Sequence, residues 1–413
     1  MIGWSDEQEE MRLAVRRFVE AEIAPIRDDL EHGDLPPYEV LRRYYATFGL
    51  DEMARDRFES ESSGKRDQIS ADDARERRYE RAIMTLLPMI EISRHCPGLV
   101  TALGVSTNLA GGSILRKATP EQARRWALPL LTLEKVGAWA ITEPDSGSDA
   151  FGGMRSSAVR DGDSWVLNGS KTFITNGPFA DIIVFLCKLD DGSPWRERPV
   201  LTFVLDRGMD GLEQTKPLRK MGLHSSPTGE VFARDVRVGP ERLLGSAGGE
   251  ARGSSGGANS AAGRDAARSV FASERASMAV QALGIIDRCL ELSVEYAKNR
   301  VQFGKPIGEF QLIQEKLAGM EVARLNVQNM VFRYLELVKL GKNPTFAEAS
   351  AMKLYSARAA MSVALEAVQL HGGNGYMSEF HVEQLARDAK VLQIYAGTDE
   401  QQIIAIAKDL MRR

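Results

Sequence analysis

Gly137-Ala138-Trp139-Ala140-Ile141-Thr142-Glu143-Pro144-Asp145-Ser146-Gly147-Ser148-Asp149 is the stretch at which this chain changes character. Ahead of it, apolar residues recur at helical spacing. From Gly137 to about Gly239 they fall into short β-rich runs, at 138–141, 164–167, 171–174, 182–187, 200–205 and 230–238. Asp161-Gly162 and Asn168-Gly169 lie between such runs, and dipeptides of this kind supply the positive φ of tight hairpins. No helical pattern separates the runs, so an antiparallel sheet is expected rather than a doubly wound parallel one.

Outward from this region both flanks read as helical. Ser5-Asp6-Glu7-Gln8 has the form of a capping box, and Met11, Val15 and Phe18 follow at helical spacing until Pro25. Residues 51–81 carry dense charge of both signs, as a solvated helical face does, with a break expected at 60–64. Residues 86–107 then turn apolar and small, as a buried helix would. Beyond the sheet, residues 246–267 are nearly all Gly, Ala and Ser, too poor in apolar surface to offset ordering entropy. Three stripes follow: Ala279, Leu283, Ile286 and Leu290; Ile313, Leu317, Met320, Val327 and Val331; Leu354, Met361, Leu365 and Val368. The expected fold is α+β: an N-terminal helical domain (1–136), a middle antiparallel β domain (137–245), a flexible loop (246–268) and a C-terminal four-helix bundle (269–413).

Composition narrows the function. The chain has 413 residues and a net charge of -4, which gives no electrostatic footprint for nucleic acid or a polybasic membrane surface. Its three cysteines, Cys96, Cys187 and Cys289, are far apart, and its five histidines do not cluster, so no metal site is expected. Residues 1–8 are polar and acidic, and no run reads as long enough for a membrane span. A cytoplasmic protein acting on small molecules is expected.

Several segments carry chemical potential. Residues 141–149 leave a strand and enter a Gly/Ser turn whose N–H groups and hydroxyls suit a diphosphate. No G-x-G-x-x-G opens a βαβ unit, so a Rossmann mode is not supported. Phe173 and Thr175 stand two apart at a strand end, where a flat ring could lie. Near the helical start of the last domain comes Ser273-Glu274-Arg275. Near the end comes Ile394-Tyr395-Ala396-Gly397-Thr398, which offers backbone donors without a carboxylate.

Residues 141–149, Phe173-Ile174-Thr175-Asn176-Gly177, Asn299-Arg300-Val301-Gln302-Phe303-Gly304, Gln369-Leu370-His371-Gly372-Gly373-Asn374-Gly375-Tyr376, Arg387-Asp388-Ala389-Lys390 and Tyr395-Ala396-Gly397-Thr398 together resemble the acyl-CoA dehydrogenases, in the same order along the chain. The resemblance implies a non-covalent FAD and dehydrogenation of an acyl-CoA to the trans-2-enoyl-CoA, with electrons passed to an electron-transfer flavoprotein. It also implies a homotetramer built as a dimer of dimers. By position, Trp139, Ile141, Thr142, Phe173 and Thr175 would meet the flavin ring, Gly147 and Ser148 the diphosphate, and Thr398 the cofactor as well. Arg300, Gln302, Phe303, Gln369, Gly372 and Gly373 would reach the FAD of a neighbouring subunit. Arg275, Tyr395 and Gly397 would contact substrate.

Many members of that family carry their catalytic Glu where this sequence has Ala396. In the isovaleryl-CoA and long-chain branches the base lies earlier, in a Glu-Arg pair, and Glu274-Arg275 resembles that placement. Proton abstraction beside a thioester needs a base and a donor for the developing oxyanion. Glu274 would be the base and the Ala396 N–H the donor. Ser273 reads as an N-cap, which would put Glu274 in a first helical turn, its pKa lowered by the dipole and raised by a bound acyl chain. Two other readings fit the loss of Glu at 396: a catalytically silent FAD-binding partner in a heteromer, or a flavin oxidase or monooxygenase on the same fold.

Overall fold

The computed structural model describes residues 3–62, 70–245 and 261–412. The N-terminal part holds α1 (Asp6–Phe18), α2 (Arg27–His32), α3 (Tyr38–Thr47), α4 (Leu50–Ser62), α5 (Ala71–Ser93), α6 (Pro97–Gly104), α7 (Gly112–Lys117), α8 (Pro120–Gln122) and α9 (Leu128–Leu131). The capping box at Ser5 is formed: its hydroxyl accepts from the Gln8 N–H at 3.3 Å, and Gln8 Oε1 accepts from the Ser5 N–H at 3.1 Å. Charge-rich 51–81 is mostly helix, and the break expected at 60–64 falls partly on residues 63–69, outside the described residues.

The apolar stretch expected as one buried helix is interrupted at residues 94–96 and continues through a π-helical turn, Val105–Gly111. One point of the sequence reading needs correction here. Pro97–Lys117 is long and apolar enough to cross a membrane by length and composition. Half of it is buried inside the molecule, with Leu99, Ala102 and Ala110 in the interior, so its apolarity serves packing between domains.

The middle part is a seven-stranded sheet in the order β1-β4-β2-β3-β7-β6, with β5 also paired to β4. Its strands are β1 (Gly137–Ala140), β2 (Ser157–Asp161), β3 (Ser164–Thr175), β4 (Ile182–Leu189), β5 (Val200–Asp206), β6 (Leu212–Gln214) and β7 (Thr228–Val238). β2 and β6 are too short or too polar for periodicity to disclose. The sheet is mixed, since β1 and β2 both run parallel to β4 while the other pairs are antiparallel. Asp161-Gly162 does turn a hairpin, with Gly162 at φ 61°. Asn168-Gly169 does not: it lies inside β3 at a bulge, its side chain exchanging hydrogen bonds with Asp235. Gly169 is there for closeness, because a Cβ would sit 2.0 Å from Ser156 Oγ.

The last part contains α10 (Ala261–Asn299), a hairpin of β8 (Val301–Gln302) and β9 (Lys305–Pro306), then α11 (Gln311–Lys339), α12 (Phe346–His371), α13 (Val382–Val391) and α14 (Asp399–Leu410). The loop expected over 246–268 lies outside the described residues up to 260, and its last residues are already helix. The first two apolar stripes pack largely as expected; in the third, Met361 and Val368 pack against the core but Leu365 does not. Leu365 is 51% exposed, and the buried face of α12 is mostly small residues, among them Ala349, Ser356, Ala360, Ala364 and Ala367, with Met352, Lys353, Val363 and Leu370. Small side chains let α12 approach α10 closely, so the tight face is invisible to a search for large apolar residues. Gly284 does the same where α10 crosses α5, with a Cβ position 2.3 Å from the Ile90 carbonyl oxygen.

Candidate active site

A cavity of about 750 Å³ opens where three layers meet: α5 and α6, the loop after β1 with the end of β3, and α10 with the turn before α14. It brings together Trp139, Ile141, Thr142, Gly147, Ser148, Phe173 and Thr175 from the middle part, and Glu274, Arg275, Tyr395, Ala396 and Gly397 from the last.

The β1 loop is held by charge. Glu143 and Lys171 form a buried pair at 2.8 Å, and Glu143 also accepts from the N–H groups of Arg155 and Ser156 at 2.5 and 2.9 Å. Lys171 further donates to the Ile141 carbonyl at 3.2 Å. The Lys171 ammonium and these N–H groups outweigh burial and keep the Glu143 carboxyl below its usual range. So the Gly147-Ser148 tip is pinned at its base. Among the described residues, the N–H groups of Gly147 and Ser148 make no hydrogen bond within the protein, and a Cβ on Gly147 would meet nothing within 4 Å.

Phe173 departs from strand geometry. A bulge between Lys171 and Ile174 puts it at φ 57°, unusual for a bulky residue, and leaves its ring 68% exposed at the cavity while Ile174 turns into the core. Alternation is thus broken where a ring is presented. Half-buried Trp139 lines the same wall. Free backbone donors beside presented aromatic faces fit the diphosphate and flavin of FAD.

Glu274 is half-buried at the cavity, and no described residue hydrogen-bonds its carboxylate. Burial pushes its pKa up to about 7 against the pull of Arg275. The N-cap reading of Ser273 is wrong: α10 starts at Ala261, more than three turns earlier, so no helix terminus acts on Glu274 and burial governs it. Arg275 reaches the cavity wall, but its Nη1 donates to Ser350 Oγ at 2.9 Å and its guanidinium lies 4.2 Å over the Phe346 ring.

Ala396 at φ 52° and Gly397 at φ 89° form two consecutive left-handed residues. The Ala396 N–H makes no protein hydrogen bond among the described residues. Thr398, expected at the cofactor, instead caps α14, its Oγ1 accepting from the Gln401 N–H at 3.4 Å, and it does not line the cavity. Arg300, Gln302, Phe303, Gln369, Gly372 and Gly373 do not line it either. Arg300 is roughly 39 Å along the helix axis from Glu274 at 1.5 Å per residue, too far to serve the same cavity. Phe303, at φ 52°, is 94% exposed at the tip of the β8–β9 hairpin.

Gln281, Thr101, Met278 and Arg116 also line the cavity and were not singled out from the sequence. Gln281 had a signal, standing two turns from Glu274 on the same face of α10. Thr101 had none.

Fold and cavity together define a flavin-dependent oxidoreductase. Residues 138–236 match the middle domain of acyl-CoA dehydrogenase, and residues 261–411 match its C-terminal domain. An acyl-CoA dehydrogenase of Bacillus subtilis is 35% identical, over 98% of each chain. Subunit CarC of the caffeyl-CoA reductase-Etf complex of Acetobacterium woodii is 32% identical, over 99% of this chain and 100% of its own. The structure of butyryl-CoA dehydrogenase from Megasphaera elsdenii superposes with a TM-score of 0.81 at 31% identity, each chain fully covered. The chain belongs to the acyl-CoA dehydrogenase family. FAD is the cofactor of that family, and acyl-CoA dehydrogenation linked to electron-transfer flavoprotein is its general activity.

Proposed function

We propose that this protein dehydrogenates an acyl-CoA thioester to the trans-2-enoyl-CoA, with Glu274 as the base that takes the α-proton. The observation that carries the reading is the Glu274 carboxylate, unpaired among the described residues and with a pKa near 7, in one cavity with the Ala396 N–H, which no described residue accepts. A base poised near neutral pH is worth roughly 10²–10⁴ in rate, and one oxyanion donor ~10²–10³. FAD supplies the acceptor for the hydride leaving the β-carbon.

The chain's own groups do the rest. The Ala396 N–H receives the thioester oxygen as charge grows on it, Glu274 accepts the proton, and Met89, Val100 and Met278 give the acyl chain an apolar wall. A main-chain donor does not depend on the side chain at 396, so Ala there leaves the oxyanion site intact. A carboxylate at 274 argues against a silent partner subunit. Electrons are proposed to leave to an electron-transfer flavoprotein, as the name of the A. woodii complex supports. We further propose a dimer of dimers in which Arg300, Gln302, Phe303, Gln369, Gly372 and Gly373 complete a neighbour's FAD site.

Anaerobic mixing of holoenzyme with a panel of acyl-CoA esters tests this through bleaching of the flavin. One or more esters bleach the wild type, and Glu274→Gln slows bleaching at least 100-fold; an unchanged rate in the variant overturns the assignment of the base.

A further inference from the structure

We propose that Lys353 is a positioning residue for this reaction: from the interior of α12 it holds the 395–398 turn in the conformation that presents the Ala396 N–H to the cavity. The inference rests on the functional reading above and extends it to a residue that does not line the cavity.

The turn is intrinsically unfavourable. Ala396 and Gly397 are left-handed in succession, and an L-residue such as Ala resists that region. Something must hold it. The Gly397 carbonyl oxygen accepts from Lys353 Nζ at 2.7 Å and from Gln402 Nε2 at 2.7 Å, and Gln402 lies 3.4 Å from the Ala396 carbonyl oxygen. A side chain at Gly397, at φ 89°, would be strained and would push the Gln402 amide off its carbonyl, since a Cβ would sit 2.7 Å from Gln402 Nε2. Two donors thus fix the carbonyl directly after the residue whose N–H is at issue.

The charge on Lys353 needs a reason. Its side chain is 0% exposed on the small-residue face of α12, where Met or Leu would fill the same space without desolvating an ammonium. Among the described residues the carboxylate paired with it, Asp399, is 4.0 Å away at Oδ1, and the other oxygen of Asp399 is taken by Arg358 at 2.9 Å. A paired structural lysine would sit closer to its carboxylate. Lys353 spends its short bond on a backbone carbonyl instead, behind the wall on which the substrate oxygen gains charge, where a fixed cation also favours that charge.

The test uses FAD-loaded Lys353→Met and Gln402→Met proteins. The probes are a 3-oxoacyl-CoA, whose C2 enolate is visible by its absorption, and the saturated acyl-CoA of the same length. Wild type is expected to favour the bound enolate over the keto form. Lys353→Met should weaken that preference about 10- to 100-fold, part of the ~10²–10³ that one donor is worth. Its kcat should fall in step while KM changes less than about threefold, the pattern of an interaction made only in the transition state. A role confined to packing would lower thermal stability or FAD retention and leave the enolate preference alone. Wild-type preference in Lys353→Met overturns the proposal, as it does in Gln402→Met should the first variant not fold. Failure of the wild type itself to favour the enolate overturns the functional reading instead.

Discussion

The hydroxyl of Tyr395 donates to Gln281 Oε1 at 2.6 Å, tying the turn that carries the Ala396 N–H to the helix that carries Glu274. Gln281 lies two turns beyond Glu274 on α10, and its Nε2 donates to the Pro97 carbonyl at 2.8 Å and to Thr101 Oγ1 at 3.2 Å. Three segments distant in the chain are thereby held in one register. Tyr395→Phe leaves Gln281 Oε1 without its partner and should destabilise the protein by about 1–3 kcal/mol. Because the proposed base Glu274 and the proposed donor Ala396 lose their common anchor, kcat should also fall about tenfold, within the sensitivity of such reactions to misplacement. Denaturant unfolding and steady-state kinetics on the same preparation check both.

Glu274 makes a pH prediction with a definite sign. On the proposed role as base the carboxylate is the active form, so with a pKa near 7 the kcat/KM of the free enzyme should rise tenfold per unit up to about pH 7 and level off above it. Stability runs the other way. Between the ordinary carboxyl value of 4.5 and about 7, the folded protein holds a proton that the unfolded chain has lost, so this group's contribution falls as pH rises through that window. Glu274→Gln removes that penalty and should be more stable than wild type by up to about 3 kcal/mol at pH 8, with little difference below pH 4.5. Urea unfolding of both proteins at several pH values reads the crossing.

The Glu143–Lys171 pair offers a test of the cofactor loop. Lys171→Met strands a buried carboxylate and should cost about 3–5 kcal/mol. The Glu143→Leu, Lys171→Met double variant should recover part of that stability, yet FAD should still dissociate more readily, since residues 143–156 have lost their anchor. Thermal melts and FAD retained after gel filtration separate the two effects.

Phe173 separates backbone from ring. Phe173→Gly relieves the left-handed strain and Phe173→Ala does not, so the Gly variant should be more stable than the Ala variant by about 1–2 kcal/mol. Both should bind FAD more weakly than wild type. Fluorescence titration of the apoprotein with FAD, beside unfolding curves, checks the pair.

Phe303 and Arg300 test the assignment to a neighbouring subunit. Phe303→Asp should shift sedimentation toward smaller species. Arg300→Ala should weaken FAD binding even though Arg300 is remote from the cavity of its own chain.

Much of this architecture was legible in the residues. The helical flanks and five of the seven sheet strands announce themselves by periodicity, and the cavity gathers seven cofactor and five substrate or catalytic residues named from the sequence. What escaped has physical causes. Small-residue packing on α12 carries no hydrophobic signal, and Asn168-Gly169 has the composition of a turn but serves a close contact with Ser156. Ser273 looks like a cap because capping residues also occur inside helices that tertiary contacts sustain. The parallel pairing of β1 with β4 depends on contacts remote in sequence.

The proposed base, Glu274, is seated in the body of α10, while its proposed oxyanion partner belongs to the main chain at Ala396. Drift at position 396 alters pocket shape but cannot delete the amide, so long as the new residue is not proline and tolerates a left-handed bend. On the proposed reading the proton-accepting side chain is that of Glu274 alone, so position 396 itself is free to diversify toward new acyl groups.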